Sequence, residues 1–226
     1  MPSFHPEPPF THGQADRTAV LLCNLGTPDE PTAPAVRRYL AQFLGDHRVV
    51  EIPKLLWMPI LHGIILRTRP AKSAAKYASI WTPEGSPLAH WTAKQATLLR
   101  GWLGEAGHAV LVRHAMRYGN PSIASQLDAL KAEGATRILI LPLYPQYSAT
   151  TTASVFDAVY TWAAATRNVP ELRFVNHYHD ATGYIDALAR TIETHWKHHG
   201  QPDQLVMSFH GAVSYTHLTL PTIYSV

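Results

Sequence analysis

The segment Ala19-Val-Leu-Leu-Cys-Asn-Leu25, which runs directly into Gly26-Thr-Pro28, decides the fold class of this chain. A short continuous apolar run that ends at a turn is typical of a strand buried on both faces. Four further runs of the same kind follow, at residues 109–115, 137–143, 172–176 and 205–209. We therefore expect a sheet of mostly buried strands.

Helical patterns separate these strands along the chain. They cover residues 33–44, 71–80, 90–105, 121–133, 150–167 and 182–199. Strands that alternate with helices form right-handed βαβ units and a parallel sheet. We predict an α/β protein with an open doubly wound parallel sheet and helices on both faces. Ligands bind such folds at the carboxyl ends of the strands, so the loops that follow the strands become the candidate site.

Composition narrows the function classes. The 226 residues are 46% hydrophobic and 15% charged, with a formal net charge of +3 and no long run of Lys or Arg, which disfavours a nucleic-acid partner. The single cysteine, Cys23, excludes an intramolecular disulfide and favours a reducing compartment. Residues 1–14 have no signal-peptide core, and the apolar stretch 52–66 is shorter than the ~20 residues of a membrane span. We expect a cytoplasmic protein, with peripheral membrane contact left open.

The loops after the strands are rich in tyrosine, histidine and arginine. Arg117 offers a planar fork for carboxylates, and Tyr118 offers a flat ring and a hydroxyl. The segment 141–148 carries two prolines and two tyrosines, Tyr144 among them, and is typical of a rigid pocket wall. Ordinary loop packing and helix capping explain the same residues, so the pattern alone leaves both interpretations open.

Histidines raise a question of proton transfer or metal binding. His210 follows the predicted strand 205–209, where an imidazole is well placed to accept protons or bind a metal near neutral pH. A structural role is equally compatible with this position. His195 and His199 have the i, i+4 spacing of zinc sites, but no Glu lies in the matching position and the segment favours a solvated helix end. The same question extends to His177, His179 and His198.

An apolar segment at 49–66 precedes two cations, Arg67 and Arg69. One of its faces could enter the core. An apolar flap with a basic edge would instead cover an amphiphilic ligand or rest on an anionic membrane.

Several motifs in a fixed order resemble those of the ferrochelatase family, in its bacterial protoporphyrin form, over residues 18–211. They are Asn24-Leu-Gly-Thr-Pro28, Val36-Arg-Arg-Tyr-Leu40 with Phe43-Leu44, Arg48-Val-Val50, Gly85-Ser-Pro-Leu88, Met116-Arg-Tyr-Gly-Asn-Pro121, Leu141-Pro-Leu-Tyr-Pro-Gln-Tyr-Ser148 and Ser208-Phe-His-Gly211. The resemblance implies a lyase-class enzyme that inserts ferrous iron into protoporphyrin IX to form protohaem. Porphyrin and ferrous iron would be its substrates, and no permanently bound cofactor is needed.

The resemblance also implies roles for individual residues. His210 would be the catalytic residue that binds the metal or takes up the pyrrole protons. The expected substrate-binding residues are Leu25 against the macrocycle, Arg67 and Arg69 towards the propionates, and Arg117, Tyr118 and Tyr144 in the pocket wall. The apolar segment before Arg67 would form a lip over the porphyrin cleft.

The resemblance stops after Gly211, and this divides the chain. Residues 1–17 would be a polar arm, 18–201 the first chelatase domain, 202–211 the first strand of an incomplete second domain, and 212–226 a tail foreign to the family. The acidic partner that the family sets opposite His210 is then absent, so we expect an incomplete and inactive fragment. The sequence leaves the oligomeric state undecided.

Two alternatives remain at this point. A porphyrin- or haem-binding carrier would keep the cleft and lose the chemistry. A cobalt or nickel chelatase of tetrapyrrole synthesis would supply more than one histidine to the metal, for which His177 or His179 could serve. A nucleotide-binding Rossmann enzyme is disfavoured because the glycine fingerprint is missing.

Overall fold

The computed structural model describes Phe4, residues 6–9 and residues 12–208. Four strands and seven helices alternate along this part of the chain. The strands are β1 Arg17–Gly26, β2 Leu111–Tyr118, β3 Ala135–Pro142 and β4 Glu171–Phe174. The helices are α1 Ala33–Gly45, α2 Lys54–Ile60, α3 Leu66–Ile80, α4 Pro87–Glu105, α5 Ile123–Ala132, α6 Ser154–Ala164 and α7 Thr182–His199. Wider π-helical turns at Leu61–Ile65 and Ala149–Ala153 lead into α3 and α6.

The four strands form one parallel sheet in the order β2-β1-β3-β4. Strand β1 lies in the middle, so that Ala19 pairs with Leu111 on one side and with Ile138 on the other. This is the doubly wound parallel arrangement that the sequence predicts. A central position explains why the decisive segment of β1 is apolar at nearly every residue, since neither face of the strand meets water.

Helices cover both faces of the sheet. Helices α5 and α6 pack on one face, and α4 packs on the other. The first face buries a large cluster made of Ala19, Leu21, Cys23, Ala115, Ile123, Leu127, Leu130, Ile138, Ile140, Val155, Val159 and Trp162. The second face is smaller and centres on Leu22, Ala96 and Val112. Odd and even residues of β1 therefore point into two separate apolar layers.

The apolar segment at 49–66 is helical from Lys54 onwards, through α2 and the π-helical turn into α3. Trp57 Nε1 donates a hydrogen bond of 2.6 Å to the carbonyl oxygen of Leu44, which ties α2 to the end of α1. Leu61 and Leu66 are buried, so one side of the segment enters the core. Helix α3 consequently begins at Leu66, five residues before the predicted start, because the π-helical turn continues directly into it.

The predicted strand at 205–209 is wrong for the residues that the structure describes. Leu205 to Ser208 have no regular secondary structure, and Leu205, Val206 and Met207 are exposed. A strand needs a neighbour, and the described part of the sheet ends at β4, which pairs only with β3. Helix α7, by contrast, has the predicted bounds.

Gly26 is the position at which the packing of β1 against β2 tolerates no side chain. Its φ is +102°, and a Cβ atom added there would lie 1.8 Å from the carbonyl oxygen of Tyr118. We expect Gly26→Ala to destabilise the protein by about 3 kcal/mol or more, because both the backbone and β2 must move. Urea unfolding followed by circular dichroism measures this loss.

Gly45 provides the matched control, because a Cβ atom added there meets nothing within 4 Å. Alanine at this helical position should leave the free energy of unfolding unchanged or raise it by up to about 1 kcal/mol. Equal effects of the two substitutions would contradict the close approach of β1 and β2.

Candidate active site

The carboxyl ends of the three longer strands meet at one edge of the sheet. Gly26 pairs with Tyr118, and the backbone N–H of Leu143 donates a hydrogen bond of 2.8 Å to the carbonyl oxygen of Cys23. Leu25 and Tyr144, which flank these contacts in sequence, therefore lie at the same edge. The loops predicted to converge do converge for β1, β2 and β3.

A buried carboxylate organises this edge. Oδ2 of Asp46 accepts hydrogen bonds from Nη2 of Arg117 at 2.6 Å, from the hydroxyl of Tyr118 at 2.7 Å and from Oγ of Ser154 at 2.6 Å. The backbone N–H of Arg48 donates to Oδ1 of Asp46 at 2.8 Å. Only 4% of the Asp46 side chain is exposed. The loop after α1, the end of β2 and the start of α6 are thus joined at a single group.

The charge of Asp46 is maintained despite its burial. Loss of hydration by itself would raise the pKa of this carboxyl, but hydrogen bonds from Ser154, Tyr118 and the backbone of Arg48, together with the cation of Arg117, lower the pKa below its ordinary value. Asp46 is therefore a carboxylate at neutral pH and accepts from every neighbour.

A second ion pair lies beside the first. Arg48 donates to both carboxylate oxygens of Asp157, at 2.7 and 3.0 Å, in the bidentate geometry that arginine favours. The exposed ring of His47 lies 3.8 Å from Asp46 and 3.9 Å from Asp157. Each carboxylate thus pairs with a different guanidinium, Asp157 with that of Arg48 and Asp46 with that of Arg117. Tyr118 donates to Asp46 alone of the two.

Aromatic rings pack around the same edge. The ring of Tyr118 meets those of Phe43 and Tyr39 edge to face, with centroids 5.3 and 6.5 Å apart. The guanidinium of Arg117 lies 4.6 Å from the ring centroid of Tyr118. Burial raises the pKa values of Tyr118 and Tyr144, so both phenols stay protonated at neutral pH.

The hydroxyl of Tyr144 has no hydrogen-bond partner among the described residues, although the atom is buried. Leaving such a group unpaired costs about 1–3 kcal/mol, and unpaired buried groups in native structures call for a functional explanation. Tyr144 is therefore distinct from Tyr118, whose hydroxyl is fully engaged by Asp46.

Helix α2 and the π-helical turn after it form an exposed apolar surface in the segment that the resemblance assigns to a lip. Leu55 is 91% exposed and Leu56 is 65% exposed, and Met58, Ile60 and Ile64 continue the surface. We call these five residues the lip. Arg67 and Arg69 follow on α3 and are also exposed. No helix of the described chain is long and apolar enough to cross a membrane.

The structure unites some of the predicted residues and leaves others apart. Arg117 and Tyr118 lie in one hydrogen-bonded group, and Leu25 and Tyr144 lie at the same strand ends. Within the described ranges, Arg67 and Arg69 make no hydrogen bond to that group. His210 lies outside the described residues. The histidine pairs 177/179 and 195/199 have close rings, but 12–208 holds no group of three side chains suited to a metal ion.

Asp46 and Ser154 are the site residues that sequence reasoning missed. Asp46 stands between two quoted motifs, Phe43-Leu44 and Arg48-Val-Val50, and this position is the signal that could have drawn attention to it. Ser154 follows a Ser- and Thr-rich stretch, residues 148–152, for which helix capping is a sufficient explanation. One of them, Ser148, does accept a hydrogen bond of 3.3 Å from the backbone of Thr150.

Comparison with known proteins assigns the chain to a family. A family model described as Ferrochelatase matches residues 17–218. The chain belongs to the ferrochelatase family. It is 74% identical over 206 residues to a protein named Ferrochelatase from Methylibium petroleiphilum, covering 91% of this chain and 57% of that protein. It is 72% identical to the Ferrochelatase of a Polaromonas species, covering 92% of this chain and 58% of that protein, and 62% identical to that of Herminiimonas arsenicoxydans, covering 96% and 59%.

The chain therefore spans somewhat more than half the length of these ferrochelatases. The family match ends at residue 218, inside the segment 212–226 that the sequence assigns to a foreign tail. The division of the chain into arm, first domain, second-domain segment and tail stays a prediction, although the described residues 205–208 do not form the strand expected of that segment.

The Asp46 cluster yields a prediction about acid stability. Because the pKa of Asp46 is lower in the folded protein, its stabilising contribution is present above the unfolded pKa and is lost as the pH falls through the folded pKa. Asp46→Asn should cost about 2 kcal/mol at pH 7, and the cost should shrink as the pH falls below about 4. Urea unfolding at several pH values checks this. A cost that stays the same at pH 3 and pH 7 would contradict the proposed charge state.

Proposed function

We propose that this protein is a lyase-class chelatase that inserts ferrous iron into protoporphyrin IX to form protohaem. Porphyrin and ferrous iron are its substrates, and no resident cofactor takes part. The observation that carries this proposal is the Arg117, Tyr118 and Asp46 cluster at the carboxyl ends of a parallel sheet, in a chain of the ferrochelatase family.

The chemistry of the described edge suits a porphyrin. A porphyrin is a flat apolar disc with two carboxylates, so its site needs aromatic or aliphatic walls and a few placed cations. Leu25 and Tyr144 supply the walls of the proposed site, whereas Tyr118, expected in the wall, is only 1% exposed and is covered by its protein neighbours. Arg67 and Arg69 are exposed cations directly after the lip, and we assign them to the propionates.

Metal insertion also requires a base. Two pyrrole N–H bonds break as iron binds the four ring nitrogens, and the dication replaces the two protons with no change in the oxidation state of iron. We assign contact with the incoming iron, and uptake of the two protons one at a time with release of each to water, to His210, because an imidazole titrates near neutral pH. In this scheme Arg117 binds the substrate, and the phenols of Tyr118 and Tyr144, whose pKa values burial raises, stay protonated.

Binding and insertion are separate tests. The 226-residue chain should bind protoporphyrin IX in a fluorescence titration, and His210→Ala should change the dissociation constant by less than about twofold. In a form of the protein, of whatever length, that inserts ferrous iron under anaerobic conditions, His210→Ala should reduce the rate of insertion by about 100-fold or more, because the general base is lost. His195→Ala, an exposed histidine of α7, is the matched control and should change neither.

The outcomes separate the candidate functions. Failure of the wild-type chain to bind porphyrin would contradict the proposed function. Insertion that survives His210→Ala would contradict the role of that histidine. Binding without insertion in the longest natural form of the protein would favour a porphyrin carrier.

We also propose that the lip rests on an anionic membrane surface. The exposed side chains of Leu55 and Leu56, followed by Arg67 and Arg69, combine apolar area with positive charge, as interfacial helices do. Replacing both leucines by serine should weaken binding to phosphatidylglycerol vesicles by about tenfold or more, since each buried leucine contributes about 1.5–3 kcal/mol. Flotation assays measure this.

Leu98→Ser on α4 is the control for this experiment, because Leu98 is about as exposed as Leu56, at 62% against 65%, and lies outside the lip. Vesicle binding that falls equally with Leu98→Ser would show that the lip has no special part in it.

A further inference from the structure

Arg117 is fixed along one edge of its guanidinium. Its Nε donates to the carbonyl oxygen of Ser154 at 2.8 Å and to Oγ of Ser154 at 2.7 Å. Its Nη2 donates to Asp46 at 2.6 Å. A guanidinium carries five N–H donors in a rigid plane, so two anchored nitrogens fix the position of the third.

The third nitrogen, Nη1, has no hydrogen-bond partner within the described ranges. The Arg117 side chain is 21% exposed, so this free end is not sealed in the core. Two of the five N–H donors are then used by Ser154 and Asp46, and the two on Nη1 and one on Nη2 remain with a fixed direction for a carboxylate.

The anchor itself is rigid. Oγ of Ser154 donates to Asp46 at 2.6 Å while it accepts from Arg117, so Asp46, Ser154 and Arg117 form a closed triangle of hydrogen bonds. Tyr118 adds a fourth member through its hydroxyl. Closed networks of this kind, in a site of low dielectric, restrict the side chains more than isolated pairs do.

We propose that Asp46 is a positioning residue for porphyrin binding, which acts with Ser154 by holding Arg117 so that the Nη1 end of its guanidinium faces the substrate. This inference rests on the proposed function, because it assumes that Arg117 contacts the porphyrin. It adds a role for two residues that no motif singled out. Asp46 touches no substrate in this scheme and acts only through Arg117.

A double-mutant cycle tests the inference. Asp46→Asn should raise the dissociation constant for protoporphyrin IX by about tenfold in the wild-type background. In an Arg117→Ala background the same change should have less than about a twofold effect, because nothing remains to be positioned. A residue that only stabilises the fold would lower affinity equally in both backgrounds, and that result would overturn the proposal.

Two further variants keep the test decisive. Ser154→Ala removes the other anchor and should weaken binding in the same background-dependent way, even where Asp46→Asn folds poorly. Asp157 lies on α6, as Ser154 does, and pairs with Arg48. Asp157→Asn removes this ion pair and no contact of Arg117. Its effect on the dissociation constant should stay below about twofold, and a larger effect would overturn the assignment to Asp46.

An independent measurement separates this inference from the proposed function. In nitrogen-15 NMR spectra the Arg117 Nη2–H that donates to Asp46 should be protected from exchange in the wild type and in Asp157→Asn, and lose that protection in Asp46→Asn. If the wild type binds no porphyrin, the proposed function fails and this signal alone decides the positioning. An Arg117 signal that is unchanged in Asp46→Asn would overturn the inference.

Discussion

The buried carboxylate of Asp46 is the constraint on which the rest of this site depends. It accepts hydrogen bonds from β2 through Arg117 and Tyr118, from α6 through Ser154, and from the loop that leads to the lip through Arg48. Burying a carboxylate without partners would cost several kcal/mol. Moving any one of these elements away would therefore expose the charge of Asp46 to water or leave it buried with fewer hydrogen bonds. The strand end, the helix and the loop therefore form one mechanical unit.

That unit sits on a sheet whose strands approach unusually closely at one end. Gly26 and Gly119 have positive φ angles, and added Cβ atoms would collide with the carbonyl oxygens of Tyr118 and Thr27. A side chain at Gly26 would therefore have to push β1 away from the carbonyl group of Tyr118, whose side chain contacts Asp46. The glycine of the Asn24–Pro28 motif thus has a packing reason.

The sequence predicted the layers well and the site only in part. Continuous apolar runs identified β1 to β4, because burial on both faces leaves a signal in neighbouring residues. The contacts of Asp46 leave no such signal, since its partners Arg117 and Ser154 lie far away in the chain and meet it only after folding. The strand predicted at 205–208 is wrong for the opposite reason. An apolar run predicts a strand, but the run alone does not show whether a second strand lies beside it to pair with it. The strand pattern placed Arg117 and Tyr118 at a strand end, as the structure has them, without revealing what holds them.

The two tyrosines of the site received the same role from the sequence, and their surroundings separate them. The hydroxyl of Tyr118 donates to Asp46, its ring packs against Arg117, and the residue is only 1% exposed. The hydroxyl of Tyr144 has no partner in the described part of the chain. Tyr118 therefore belongs to the rigid support of the site, whereas Tyr144 retains a donor and an acceptor for a substrate, an ion or a water molecule. Identical side chains at one sheet edge thus differ in what they can contact because one of them is bonded to a buried charge.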